Sequence, residues 1–563
     1  MDQGNNKNQN QGGNRRDFKH RDGKPFEKKY DRKPGDKKFD RKPGDRPSEK
    51  RFDRKPGEKP FEKKFERKPG DRPFEKKFER EPGDRPFEKK FDRKPDGRKF
   101  EGRDRRPAPA KPAGPSARDV ALRALRNVAR NDAYAAQALD RELSAARLSD
   151  EDRRLASSVF YFTLENRLRI EHVLAARLKT RPEPEVMDIL CIAAAQILFM
   201  DRIPDHAAVD EAVKQTRRAG RDGLTALVNG VLRSLIRDRD AGELTLPERE
   251  TEPEAYLSEK YSAAPELVAR LSAAYGVDQT EEILAWSPDR RSDTIRPNRM
   301  RMNDAAFEAW LTQNGLTWER ATVSGAYRVT GAGKLSDHEG YRKGLFSIQG
   351  ESSMLAAAAV GAKPGMQVLD ACAAPGGKTC LIAETMQGTG RVYAWDLHEH
   401  RVELIRAAAR RLELDNIRAQ VRDAAKPMES MELSMDAVLV DAPCSGLGVM
   451  GDKPDIKYRL KGETIDALVP VQRAILNACA ASVRPGGLMV YSTCTLLPEE
   501  NERQIEAFLN LHPEFAPDGD DTWLPEQLRV HYKNGCIQIL PGRDGIEGFF
   551  IARLRRKAGS YER

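Results

Sequence analysis

Residues 438–446 read Val-Leu-Val-Asp-Ala-Pro-Cys-Ser-Gly, and residues 488–495 read Leu-Met-Val-Tyr-Ser-Thr-Cys-Thr. Each stretch opens on an apolar run of strand character and reaches a cysteine, Cys444 or Cys494, where the strand should end. Between them, Thr464 to Val483 reads as a helix. A strand–helix–strand unit crosses over right-handed and sets its two strands parallel, usually as neighbours. Both thiols are then expected at one carboxyl edge of one sheet, where open α/β folds bind ligands. Two thiols at such an edge suggest covalent chemistry.

The same alternation runs from Gly344 to the end. Strands are expected at Gln367–Asp370, Arg391–Asp396, Ile417–Val421, Ala437–Asp441 and Leu488–Ser492, with Cys536–Leu540 and Gly548–Leu554 as a closing pair. This predicts a Rossmann-like, doubly wound parallel sheet with an antiparallel edge over residues 344–557. The first strand runs into Asp370-Ala-Cys-Ala-Ala-Pro-Gly-Gly-Lys-Thr379. A Gly-Gly turn before a helix lets a ligand approach the backbone, and the first helical amides can hold an anionic group. The spacing matches neither a dinucleotide nor a nucleoside-triphosphate loop. Asp396, Asp423 and Asp441 stand at or just past the ends of the next three strands. An acid after the second strand commonly takes ribose hydroxyls, and Asp423 can accept from an adenine amine. Ribose and adenine acceptors without a phosphate loop fit S-adenosylmethionine.

A methyl donor beside two thiols has a specific use. Pyrimidine C5 is a poor nucleophile until a thiolate adds at C6. The reaction needs one activated cysteine and a second group to assist elimination. The residues alone leave open which thiol attacks, since DNA cytosine methyltransferases use a Pro-Cys thiol. Cys191, Cys380, Cys479 and Cys536 read as packing residues, and Cys372 as a backbone contributor. Seven cysteines without a CxxC pair argue against a disulfide framework or a zinc site and imply a reducing, cytoplasmic setting. His398 and His400 read as surface residues, so no metal is expected. No apolar run is long enough to cross a bilayer.

The chain is two different polymers. Residues 1–111 hold 39 Lys and Arg against 23 Asp and Glu, whereas the remaining 452 residues hold 59 against 65. The basic part repeats a 13-residue unit of the form Asp/Glu-Arg-Lys-Pro-Gly-Asp-Arg-Pro-Phe-Glu-Lys-Lys-Phe. It cannot bury enough surface to offset its chain entropy, so residues 1–115 are expected to be a disordered tail and linker. It reads equally as an RNA-binding arm, with phenylalanines for stacking on bases, and as a solubilising tail. Residues 116–240 carry a helical period, including Val120–Val128, Leu155–Leu178, His206–Arg218 and Leu224–Ile236, with Ser149 as a cap. Residues 255–343 predict a helical linker and a small α+β RNA-binding insert. Its arginine-rich start, Arg290 to Arg301 with Arg296 and Asn298, suits phosphate or base-edge contacts.

Three motifs, the Asp370–Thr379 loop, Asp441-Ala-Pro-Cys-Ser-Gly-Leu-Gly448 and Tyr491-Ser-Thr-Cys-Thr495, resemble the RNA 5-methylcytosine methyltransferases. The helical region, with Leu227-Val-Asn-Gly-Val-Leu-Arg233, is similar to the NusB-like domain fused to the bacterial ribosomal members of the RsmB (Sun/Fmu) type. The resemblance covers roughly residues 116–557. It implies a 16S rRNA (cytosine(967)-C5) methyltransferase that uses S-adenosylmethionine on naked or early-assembly small-subunit rRNA, as a monomer and away from membranes. It implies that Cys494 is the nucleophile and Cys444 assists product release. Cofactor contacts map onto Cys372, Ala373, Ala374, Pro375, Gly376, Gly377, Lys378, Asp396, Asp423 and Asp441. Asp452 stands where basic residues are common, Glu547 stands where aspartate is usual, and the tail lies outside the pattern. Methylation of tRNA or another RNA, and a non-catalytic assembly role, are the competing readings.

Overall fold

The computed structural model describes residues 114–131, 135–289, 292–331, 333–459 and 462–558. The repeat tail, and Arg290 and Arg291 of the arginine-rich run, lie outside the described residues.

The first described region is a helical bundle around Pro184–Phe199, a helix buried on nearly every side from Val186 to Ile197. A helix apolar all round belongs inside a bundle. Around it pack Ala117–Asn131, Asp150–Glu165, Asp205–Arg218 and Thr225–Asp240, among others. Ser149 caps as expected, accepting from the Asp152 amide at 3.1 Å. The Leu155–Leu178 stretch is two helices, because Asn166 leaves helical geometry and a new helix starts at Arg167. The new helix is capped from a distance: the Ser262 hydroxyl accepts from the Leu168 amide at 2.8 Å. That cap lies 94 residues away, which is why the local pattern does not reveal the break.

The linker expected as one helical stretch is three helices, Pro253–Lys260, Pro265–Tyr275 and Val277–Ala285. Each of the first two starts on proline at an early helical position, where its missing N–H costs nothing. The insert that follows is an antiparallel sheet of β1 (Ser292–Pro297), β2 (Thr317–Arg320), β3 (Tyr327–Thr330) and β4 (Phe346–Ile348), in the order β2-β3-β1-β4. Its fourth strand lies past residue 343, so the sheet reaches beyond the expected boundary.

The structure corrects the reading of the arginine-rich strand. Arg296 is 2% exposed, pairs with the buried Glu384 at 2.5 Å and donates to Gln349 at 2.7 Å. Asn298 is buried and donates to the Gly344 carbonyl at 3.1 Å. Arg299 and Arg301 pair with Asp304 and Glu413. Arg296 and Asn298 are thus buried among partners within the fold rather than presented to RNA.

The third region is the expected Rossmann-like sheet. Its strands are β5 (Gln367–Asp370), β6 (Arg391–Asp396), β7 (Ile417–Val421), β8 (Met435–Asp441), β9 (Val483–Thr493), β10 (Phe515–Pro517), β11 (Cys536–Ile539) and β12 (Phe549–Arg556). The order is β10-β12-β9-β8-β5-β6-β7, with β11 also on β12. Strands β9, β8, β5, β6 and β7 are parallel; β12 runs antiparallel to β9 and carries β10 and β11. The helix between the two cysteine motifs is Gly462–Ala480, and β9 already begins at Val483. Strands β8 and β9 are direct neighbours, with Asp441 opposite Ser492.

The Arg296–Glu384 pair gives a stability test. Arg296→Met should cost about 3–5 kcal/mol, because it strands a buried carboxylate. The double change Arg296→Met with Glu384→Leu should recover most of that loss. Urea melts of the three proteins check both expectations.

Candidate active site

Strands β8 and β9 end side by side, so the residues just past them meet. The Cys444 and Cys494 sulfurs are 3.4 Å apart, in contact and unbonded. Backbone bonds fix this placement. The Gly448 amide donates to the Cys494 carbonyl at 2.8 Å, and the Gly548 amide donates to the Gly448 carbonyl at 2.9 Å. A Cβ on Gly448 would collide with the Gly548 backbone, so only glycine lets the loop lie there. The linker helices support the same loops: Leu257, Leu267, Leu271 and Leu284 share one apolar cluster with Leu447, Met450, Leu496 and Leu497.

The two sulfurs are electrostatically unequal. Cys494 is pulled below the usual thiol range by its hydrogen bond with Cys444, against burial, and with help from Lys453 and Lys378. Cys444 is pushed well up by that bond, by burial and by the carboxylates of Glu500 and Asp441. Within the pair, ionisation is therefore favoured at Cys494 over Cys444. The remaining thiols do not share this. Burial pushes Cys191, Cys380, Cys479 and Cys536 up to about 12, and it raises Cys372 well above its ordinary value.

Lys378, in the first turn of the helix Gly377–Thr385, reaches back to Asp441 at 2.8 Å. Its ammonium lies 5.3 Å from the centre of the Phe549 ring. Burial works against the charge on Lys378, and Asp441 more than offsets it. The second Asp441 oxygen accepts from the Ser492 hydroxyl at 2.8 Å. The structure thus joins two residues that the sequence reading assigned separately to the cofactor.

The cofactor loop fits its expected shape in part. Gly376 takes φ +105°, where a side chain is strained and a Cβ would press on Ile405 at 3.2 Å. The helix amides that follow have no intrahelical acceptor and suit a carboxylate. The amides of Ala371 and Ala373 are already taken by the carbonyls of Leu439 and Trp395. Those two positions brace the loop on its neighbouring strands. Asp396 is 3% exposed at the end of β6, beside Arg401 at 3.4 Å and accepting from the His398 amide at 3.2 Å. Asp423 lies past β7, held below the ordinary carboxylate range by Lys426 and the Ala425 amide. The acids of β5, β6, β7 and β8 therefore stand along one sheet edge, a placement that fits the ribose and amines of S-adenosylmethionine.

The sequence reading missed Glu500, Asn501 and Gln472. Glu500 and Asn501 are fully buried directly after the Cys494 motif. Asn501 accepts from Thr493 at 2.6 Å and donates to Gln538 at 2.8 Å. The available signal was Pro498-Glu-Glu-Asn501, an acidic turn close behind an apolar strand.

Known proteins resemble the chain over most of its length. The family described as 16S rRNA methyltransferase RsmB/F matches residues 357–555, and the NusB family matches residues 115–237. A protein of Bacillus subtilis named probable ribosomal RNA small subunit methyltransferase B is 38% identical over 450 residues, covering 78% of this chain and 99% of that protein. A Synechocystis protein of the same name is 33% identical over 452 residues, again 78% and 99%. A crystal structure titled PH0851 superposes with a TM-score of 0.66 at 26% identity, covering 78% of this chain and 97% of that one.

One buried acid makes the site sensitive to pH. Asp370 is raised to about 7 by burial, with Asp441 adding to the shift, and one of its oxygens is buried without a partner. A carboxyl raised on folding contributes stability that is complete below its unfolded value and lost as pH rises through the folded one. Native protein should therefore lose at least about 1 kcal/mol between pH 4 and pH 7 that Asp370→Asn does not lose. Chemical denaturation at several pH values measures the difference in slope.

Proposed function

We propose, for a chain that belongs to the RsmB/F family of 16S rRNA methyltransferases, that it methylates C5 of cytosine(967) in small-subunit rRNA through a covalent bond to Cys494. The family draws its methyl group from S-adenosylmethionine, which supplies an electrophilic sulfonium methyl when bound. The observation that carries the reading is the pair of sulfurs 3.4 Å apart, with charge favoured on Cys494.

The chain's own residues divide the work. The Cys494 thiolate adds to C6 of the cytosine, and the ring becomes an enamine with a nucleophilic C5. After C5 is methylated, its proton passes to a water molecule, the C5–H electron pair re-forms the C5–C6 double bond, and the bond between Cys494 sulfur and C6 breaks with its electrons on sulfur, restoring the aromatic base and the thiolate. Cys444 lies 3.4 Å away and is placed to hydrogen-bond the Cys494 thiolate as it departs, and so assists release. Asp396 binds the ribose of the donor, Asp423 its adenine, and residues 372–378 its amino-acid end. Lys378 and Asp441 act as one ion pair at the junction of donor and thiols. The NusB-like region contributes RNA contacts.

In the presence of the methyl donor, Cys444→Ala should accumulate a covalent protein–RNA adduct visible on denaturing gels. Cys494→Ala should form no adduct and lose about 100-fold or more of its methyl transfer. The opposite pattern contradicts the assignment. Asp396→Ala should weaken donor binding about tenfold or more by calorimetry, since it removes a buried charged acceptor.

A further inference from the structure

Glu500 touches neither sulfur, yet its carboxylate joins the two loops that carry them. It accepts from the Ser445 amide at 2.9 Å, the Ser445 hydroxyl at 2.5 Å, the Thr495 hydroxyl at 2.9 Å and the Gln472 side-chain amide at 2.9 Å. Ser445 follows Cys444, and Thr495 follows Cys494. The two hydroxyls also meet each other at 2.5 Å. Gln472 comes from the helix between the motifs and donates to the Pro443 carbonyl at 2.9 Å as well. The Glu500 carbonyl accepts from the Tyr491 hydroxyl at 2.7 Å, which ties the turn back to β9.

This carboxylate is fully buried, and none of these four donors is a cation. An isolated buried charge is costly, so it persists only where its hydrogen bonds are all made. Loop packing alone does not require the charge, because hydroxyls and amides can be bridged by neutral groups. Cys444 faces Cys494, Glu500 and Asp441, all of which favour keeping its proton. Cys494 faces Cys444 and Asp441 together with the cations Lys453 and Lys378. Glu500 and Asp441 raise Cys444, and Lys453 and Lys378 lower Cys494.

We propose that Glu500 is a positioning residue that locks the two thiol loops in register and fixes the division of roles between their sulfurs. Its four acceptor bonds hold the sulfurs at contact distance. Its negative charge keeps the hydrogen on Cys444, so that Cys444 donates and Cys494 attacks. The proposal rests on the assignment of Cys494 as nucleophile and extends it with the reason for the asymmetry.

The first arm of the test uses the full chain without RNA and reads thiol chemistry directly; the second adds RNA and reads methyl transfer. Iodoacetamide alkylation of each cysteine is followed across pH by mass spectrometry. In native protein Cys494 should alkylate at lower pH than Cys444. In Glu500→Gln the difference should collapse, with the ratio of the two rates at pH 7 falling about tenfold or more. Glu500→Asp keeps the charge and shortens the reach, so it should retain the order of reactivity while slowing single-turnover methyl transfer. A Glu500→Gln protein that melts like native, binds S-adenosylmethionine, and shows unchanged profiles at both thiols overturns the proposal. Should Glu500→Gln not fold, Ser445→Ala and Glu500→Asp decide the loop-locking half: both should slow methyl transfer about tenfold, and native rates in both overturn it. Native protein in which Cys444 is the more reactive thiol contradicts the nucleophile assignment itself, and the proposal falls with it.

Discussion

Contact between two sulfurs at the ends of adjacent parallel strands is the constraint on which the site depends. Burial raises a thiol above its ordinary range, as it does Cys191, Cys380, Cys479 and Cys536. Each pKa unit by which burial raises a thiol costs about 1.4 kcal/mol of thiolate stability. Cys494 escapes because its hydrogen bond with Cys444, 3.4 Å away, and the cations Lys453 and Lys378 lower it. Were β8 and β9 separated by one intervening strand, the sulfurs would stand about 9–10 Å apart and the donation would vanish.

Much of the remaining structure holds that contact in place. Glycine at position 448 lets the first thiol loop lie against both the second loop and the start of β12. The three linker helices fill the space beneath the loops, and the Tyr275 hydroxyl donates to the Leu496 carbonyl. Arg270, also in the linker, pairs with Glu499 at 2.9 Å, next to Glu500. The β1–β4 sheet is fixed to the methyltransferase region by Arg296 and Glu384. A charged pair this deep does little for net stability against an apolar alternative, but it anchors the insert to the helix that also carries Lys378.

The parallel sheet was legible because its strands are short apolar runs ending in acids or cysteines, and the order of Cys444, helix and Cys494 admits essentially one handed connection. The thiol pair, the Gly-Gly turn and the acidic edge followed from that. What local pattern could not show was set by distant partners. Asn166 breaks a helix whose continuation is capped by Ser262. Arg296 and Asn298 looked like RNA contacts because arginine on a strand is usually exposed, and only the fold brings Glu384 and the Gly344 carbonyl to them. Glu500 was invisible for the same reason: its meaning comes from Ser445, 55 residues earlier. Lys378 and Asp441, 63 residues apart, were each read as cofactor residues until the fold joined them.

The most direct measurement of the central claim identifies the sulfur that bonds to the base. A small-subunit rRNA fragment carrying 5-fluorocytidine at the target position cannot lose its C5 substituent as a proton, so the covalent intermediate accumulates. Digestion of that adduct and mass spectrometry locate the modified cysteine. RNA is expected on the peptide containing Cys494, with Cys444 unmodified. RNA bonded to Cys444 instead would contradict the nucleophile assignment.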